Sequence, residues 1–455
     1  MKRRVVLLVV SLLAGGAAAA HADTSQPGSY AGPLGLAAGP VLMGDRLAWS
    51  AASTVYVDLD YRTTSRLYAA PVAGGSAREL ATLAEEVYNP SYPSVEGDSV
   101  MALAGSPGHV AWMTLATSTA VSKYGGDLQD PWRISALGTT ATCRATFGAG
   151  LALDGDQLAV SGCGGVSVRD LSRPQAPPQV LAATGGPVKL AGTWAAWQTD
   201  TGYELLNRST GARTTFGIEG LPGERRVFDL SPEGVLAVAL SVEGGGPTQL
   251  AWTSPAEPTW HVFATPRLLW DTDLRVRGGR IAHLTYDSRT DGEQLWLMDL
   301  AGGRTFLTER DDINEPGQTG FDFDGTRVTW ATTTCDTLTV AARPVAGGPF
   351  TLPARTHCPV VVDPHRLRLG RGNAIVRLRC PAPSPRRDSD RCAGRVVLRA
   401  GGKRLGAGTF KIEANAWGHA RVKLTARTKA KRVEVVVRSV TRGHASRTTV
   451  SRRRS

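Results

Sequence analysis

Three histidines, His109, His261 and His283, lie in or beside strand-like stretches well separated along the chain. Imidazole is the side chain best suited to proton transfer near neutral pH. Gathered at one channel, the three would form an acid–base centre. Taken singly, each reads as a strand histidine with a satisfied hydrogen bond, and no residue is assigned a catalytic role. The run Glu309-Arg310-Asp311-Asp312-Ile313-Asn314-Glu315 offers oxygens at alternating positions, as calcium requires. It lacks the glycine-bearing loop of a calcium motif and reads as a solvated loop. His357 and His365 flank Cys358, yet no C-x-x-C occurs, which argues against zinc. There is no G-x-S-x-G elbow, no H-E-x-x-H and no Walker lysine: Lys403 follows Gly402, but Val397 stands where the first glycine is needed. Neither metal nor cofactor is expected.

The six cysteines are Cys143, Cys163, Cys335, Cys358, Cys380 and Cys392. Six allow 15 connectivities. Pairing in sequence order, which would close three local loops, is the working expectation. It suits an oxidising compartment, and so does the N-terminus. Lys2, Arg3 and Arg4 precede an apolar run from Val5 to Ala20, and Ala20-His21-Ala22 has the small-x-small form of a cleavage site. Residues 1–22 therefore read as a secretory signal. The run is rich in small residues and too short to span a bilayer comfortably, and no later stretch is long and apolar enough to cross. The expected location is extracytoplasmic, secreted or held at the cell envelope.

The net charge of +12 conceals a division. Residues 358–455 carry 25 Lys/Arg against five acids, a net of +20, whereas residues 1–357 carry 27 against 35, a net of −8. Such asymmetry predicts two domains, an acidic one over 30–355 and a basic one over 358–455. Candidate polyanion-binding residues are Arg386, Arg387, Lys403, Arg404, Lys429, Lys431 and Arg432, with Arg452, Arg453 and Arg454 in the tail. The alternative is that these cations only cover the polar faces of strands and discourage edge-to-edge pairing. Nucleic acid would suit the charge, but export argues against it.

The elements that must position these residues are announced by a repeated phrase: a turn, an aliphatic, Ala or Thr, then an aromatic or aliphatic. It reads Gly44-Asp45-Arg46-Leu47-Ala48-Trp49, Gly97-Asp98-Ser99-Val100-Met101-Ala102, Gly155-Asp156-Gln157-Leu158-Ala159-Val160 and Gly192-Thr193-Trp194-Ala195-Ala196-Trp197. Looser copies are Glu233-Gly234-Val235-Leu236-Ala237-Val238, Gly278-Gly279-Arg280-Ile281-Ala282-His283 and Asp324-Gly325-Thr326-Arg327-Val328-Thr329-Trp330. From residue 155 onward the copies fall 37, 42, 44 and 47 residues apart, a period suited to one four-stranded sheet per copy. An all-β fold is predicted: a β-propeller of about seven blades, with six or eight as alternatives. The turn aspartates are expected to stabilise turns. Trp49, Trp112, Trp197 and Trp330 are expected to pack between blades rather than bind sugars.

The phrase Leu295-Trp296-Leu297-Met298-Asp299-Leu300-Ala301-Gly302-Gly303, followed by Leu307-Thr308 and Phe321-Asp322-Phe323-Asp324-Gly325, resembles the repeat of TolB-like (WD40-like) β-propellers. Ser231-Pro232-Glu233-Gly234 is a further copy of that family's turn, with Glu replacing Asp. In the basic region, Ala374–Cys380, Gly394–Arg399, Arg421–Thr425 and Arg432–Val437 alternate with period two, separated by turns at Ala400-Gly401-Gly402-Lys403 and Trp417-Gly418-His419. They predict a small Ig-like β-sandwich, and the pattern resembles C-terminal modules of exported proteins from GC-rich bacteria.

The function expected is that of a non-catalytic exported binding or scaffold protein. Its propeller would present a protein- or glycan-binding surface, and its basic module would associate with anionic envelope polymers or lipid headgroups. Two alternatives stand beside it. One is a propeller-channel lyase or hydrolase acting on polysaccharide, which needs several acids and a base at one channel mouth. The other is a structural domain whose partner is another subunit.

Overall fold

The computed structural model describes residues 21–22, 29–32, 35–57, 60–89, 94–119, 132–136, 139–143, 150–162, 164–219, 221, 224–241, 249–264, 274–287, 292–311, 321–334, 337–347, 349, 358, 360–369, 372–381, 391–413, 417–425, 432–439 and 445–451. Among them, the only helical turn is Val345–Gly347, and everything else regular is strand.

The second strand of each propeller unit shows why the phrase repeats. Ala48, Ala111, Ala159, Ala196, Ala237, Ala282 and Thr329 hold the same place in seven strands, and each is fully buried. A small side chain there lets neighbouring sheets close on one another, and the flanking residues fill the space between them. Trp49 packs with Leu338 and Val340 of the last sheet, Trp197 with Val166 and Val168, and Trp330 with Leu284 and Leu297. Trp49, Trp197 and Trp330 are interblade packing, as expected, while Trp112 is partly buried against Val41, Met43 and Val110 of its own eight-stranded sheet.

Six propeller sheets result. Four have four strands, and one of five closes the ring: Ser29–Gly32, from near the N-terminus, pairs with Thr337–Pro344, and His21–Ala22 pairs beyond it as the edge strand. The short helical turn Val345–Gly347 follows Thr337–Pro344 directly. The sixth sheet has eight strands and is a double blade, made continuous where Arg78–Asn89 pairs with Ser94–Ser106. Seven inner strands, Gly35–Met43, Ser94–Ser106, Gly150–Asp154, Val188–Ala191, Glu224–Leu230, Leu274–Arg277 and Phe321–Phe323, thus follow one another around the axis, and the last packs against the first.

One copy of the phrase marks an inner strand instead of a second strand. Gly97–Ala102 lies inside the inner strand Ser94–Ser106, and the true equivalent is Gly108-His109-Val110-Ala111-Trp112, after Pro107. Gly108 adopts φ 85°, as the tight turn demands.

The basic region folds as one seven-stranded sheet, ordered Val361–Leu369, Asn373–Arg379, Trp417–Leu424, Lys403–Ile412, Cys392–Ala400, Arg432–Ser439, Ala445–Ser451. The two end strands lie against each other, so the sheet is nearly closed. Instead of two separate sheets, two halves are joined by a narrow ladder, Gly406↔Leu424 and Ala407↔Lys423. Val376, Leu378, Val396, Leu398, Phe410, Val422 and Val435 fill the interior between them. Trp417-Gly418-His419 is strand rather than turn. Gly418 is small because the Ile412 side chain fills the place a Cβ would occupy, 2.7 Å away.

Candidate functional site

In the basic sheet, alternation puts apolar side chains inward and cations outward. Arg395, Arg399, Arg421, Lys423, Arg432 and Arg438 are exposed, while their neighbours Val396, Leu398, Val422, Val433 and Val437 are buried. Three of the predicted polyanion residues meet at one end of this sheet. Lys403 and Arg404 open the strand after the Gly401-Gly402 turn, and Arg399 pairs with Arg404 on one side and Glu434 on the other. That register brings Arg432 beside the turn. All three side chains are exposed. Arg386, Arg387, Lys429, Lys431, Arg452, Arg453 and Arg454 lie outside the described residues.

Cys380 and Cys392 form a disulfide that closes the loop at the opposite end of the sheet. Cys358 is disulfide-bonded as well. Cys163 and Cys335 fall outside the described residues, and so does the pairing expected of Cys143. The bridge fits an oxidising, extracytoplasmic setting. No helix among the described residues is long and apolar enough to cross a membrane. Residues 1–20, the core of the predicted signal, are outside those described.

The propeller axis holds a charged cluster that sequence reasoning missed. Lys189, Asp229, Arg275 and Asp322 occupy one level on four consecutive inner strands. Asp229, 4% exposed, accepts from Arg277 Nη1 at 2.8 Å and from the Val276 N–H at 2.9 Å, and Lys189 Nζ lies 3.9 Å from its other oxygen. Asp322 accepts from Arg275 Nε at 3.1 Å and from the Leu42 N–H at 2.8 Å. Each carboxylate thus reaches from its own blade to the backbone of the next. Burial works to raise the Asp229 carboxyl, but Arg277, Lys189, Arg275 and the Val276 N–H together hold it below the usual carboxylate range. The group is an ionised clasp. The signal that could have revealed it is a charge three residues before the turn glycine: Lys189 and Gly192, Arg275 and Gly278, Asp322 and Gly325.

The three histidines do not converge. His109 Nε2 meets Asp156 Oδ1 at 2.6 Å, joining two adjacent turns. His261 lies on an outer strand, its ring stacked on Trp252 at 4.1 Å and its Nε2 3.1 Å from Glu257. His283 is buried in a second strand. The turn residues act locally. Asp299 Oδ1 accepts from the N–H groups of Ala301 and Gly303, Asp324 Oδ1 from those of Thr326 and Arg327, and Ser231 Oγ from those of Glu233 and Val235. No cluster of three or more potential metal ligands occurs among the described residues. Asp312–Glu315 of the acidic run lie outside them.

No family model matches the chain, and no curated protein matches it. Several solved structures are similar. A prolyl endopeptidase is 15% identical, with a TM-score of 0.44 over 78% of this chain and 54% of its own. This chain therefore spans about half the length of that enzyme. The β-propeller domain of the trilobed protease from Pyrococcus furiosus is 11% identical, with a TM-score of 0.37 over 66% of this chain and 91% of that one. The extracellular domain of a hybrid two-component system from B. thetaiotaomicron is 13% identical, with a TM-score of 0.33 over 88% and 68%. The propeller assignment rests on the strands themselves, since likeness this distant says nothing of activity.

Proposed function

We propose that this chain is an exported, non-catalytic binding protein. Its basic C-terminal sheet associates with anionic polymers or headgroups of the cell envelope, and its propeller presents a surface to a protein or glycan partner. The observation that carries the reading is the outward set of exposed cations on a folded sheet, gathered at one end as Lys403, Arg404 and Arg432. Clustered cations of one sign attract polyanions and raise their rate of encounter.

A polysaccharide-cleaving channel would need a carboxyl able to donate a proton, which calls for a raised pKa. The axial carboxylates of Asp229 and Asp322 are ion-paired instead, and that of Asp229 is lowered. This favours the binding reading. The test is sedimentation of the full chain with purified cell envelopes through a salt series. Binding at low salt that is released as salt rises is expected. Absence of binding at every salt concentration would refute the proposal.

A further inference from the structure

We propose that the outer face formed by Asn373–Arg379 and Trp417–Leu424 is the binding surface for a linear acidic polysaccharide. This rests on the envelope-binding reading above and names the face and the ligand class. Trp417, His419, Arg421 and Lys423 follow one another along one face of their strand, all exposed, while Ala420 and Val422 between them are fully buried. Two-residue steps of about 6.7 Å make this a stripe about 20 Å long. Across the ladder, Arg379 pairs with Trp417, Arg377 with His419, Ile375 with Arg421 and Asn373 with Lys423. Val361 pairs with Arg379 on the far side.

Two observations distinguish this face from an ordinary solvated sheet. First, of the five exposed large hydrophobic residues among those described, three lie here: Trp417 at 42%, Val361 at 37% and Ile375 at 36%. Second, the guanidinium carbons of Arg377 and Arg379 lie 4.5 Å and 5.8 Å from the Trp417 ring centroid. Stacking of this kind fixes an exposed indole in place. An anchored indole offers a flat apolar surface to the C–H face of a pyranose ring, and the cations beyond it meet carboxylate or other anionic substituents along the polymer.

Other polyanions fit less well. Single-stranded nucleic acid is held on several successive aromatic rings, whereas this face carries one ring followed by aliphatic and basic residues. The disulfide of the same sheet also points to a compartment outside the cytosol. A bilayer is met by an apolar face that can sink into it, and here the apolar side chains are interleaved with arginines.

The experiment measures binding of the full chain to polygalacturonate, inorganic polyphosphate, oligothymidylate and phosphatidylglycerol vesicles at one ionic strength. It compares the natural chain with Trp417→Ala, Trp417→Tyr and the double variant Arg421→Glu/Lys423→Glu, each checked by circular dichroism. Trp417→Ala should weaken polygalacturonate about tenfold and polyphosphate less than about twofold, with Trp417→Tyr close to the natural chain. The double variant should weaken both polymers. The proposal is overturned if Trp417→Ala leaves polygalacturonate binding unchanged, or if oligothymidylate or the vesicles bind more tightly than polygalacturonate. If the natural chain ignores polygalacturonate yet sediments with envelopes, this site assignment fails and the envelope reading stands. If it does neither, both fail.

Discussion

His283 occupies the strand position that Trp49, Trp197 and Trp330 hold in other units, wedged where sheets meet. It is 1% exposed, and neither ring nitrogen has a hydrogen-bond partner among the described residues. Burial, reinforced by the Arg304 charge and opposed by the Leu284 backbone, pushes its pKa from 6.5 down to about 3. The unfolded chain therefore takes up a proton below about pH 6.5, while the folded chain refuses it until about pH 3. Stability from this site is complete above pH 6.5 and falls as the solution is acidified, by about 1.4 kcal/mol per pH unit across that window. Between about pH 7.5 and about pH 4.5 the loss comes to about 2.7 kcal/mol. His283→Leu removes the titrating ring and its unpaired nitrogens. The variant should be more stable than the natural chain by about 1–3 kcal/mol at neutral pH. That lead should widen by about 2.7 kcal/mol at about pH 4.5. Urea unfolding followed by tryptophan fluorescence at the two pH values measures the widening directly. A lead that does not change with pH would refute the reasoning, as would a His283 imidazole resonance, assigned by its loss in His283→Leu, that titrates near pH 6.5 in the folded protein.

Two further substitutions probe the frame. Asp229→Asn leaves Arg277 and Lys189 facing each other without their anion, and should cost about 3–5 kcal/mol in the same unfolding assay. Because the Asp229 carboxyl is held below its ordinary value, its contribution is present above pH 4 and is lost as pH falls through the lowered folded pKa. The variant should therefore lack that portion of the natural chain's acid sensitivity, and an unchanged acid profile would argue against the clasp. Replacing Cys380 and Cys392 together by alanine opens a loop of 12 residues' separation and should cost about 2–4 kcal/mol in the C-terminal sheet. Hydrogen exchange in Asn373–Arg379 and Cys392–Ala400 reports it, and no change in protection there would contradict the expected role.

How much of this was legible depended on whether the information was local. The buried alanine of each second strand repeats because each unit solves the same packing problem, so Ala48, Ala159, Ala196, Ala237 and Ala282 marked the propeller in advance. The second copy was lost because Val100-Met101-Ala102 on an inner strand mimics a second strand, and His109-Val110-Ala111-Trp112 follows Pro107-Gly108 rather than an Asp-bearing turn. The merging of two units into one sheet depends on Glu86–Asn89 meeting Ser94–Gly97, a register that no residue type declares. The Lys189, Asp229, Arg275 and Asp322 clasp was hidden for a similar reason. Its members are a full repeat apart, and they become neighbours only when the blades close around the axis. In the sequence Trp417 reads as a turn residue because a glycine follows it, yet that glycine answers to Ile412 across the sheet. The division of charge was legible outright, since it needs only counting, and the sheet then determined which cations share a face.

The central claim, association through the basic sheet, is tested most directly by reversing Lys403, Arg404 and Arg432 to glutamate together in the full chain. These exposed side chains make few demands on the fold, so the variant should unfold at the same urea concentration as the natural protein. The measurement is the fraction sedimenting with purified envelopes as NaCl rises from about 0.05 to about 0.5 M, a range over which screening shortens several-fold. The natural chain should bind at low salt and be released at high salt, whereas the reversed chain should be released at a clearly lower salt concentration. Equal binding by the two chains, unaffected by salt, would contradict the claim.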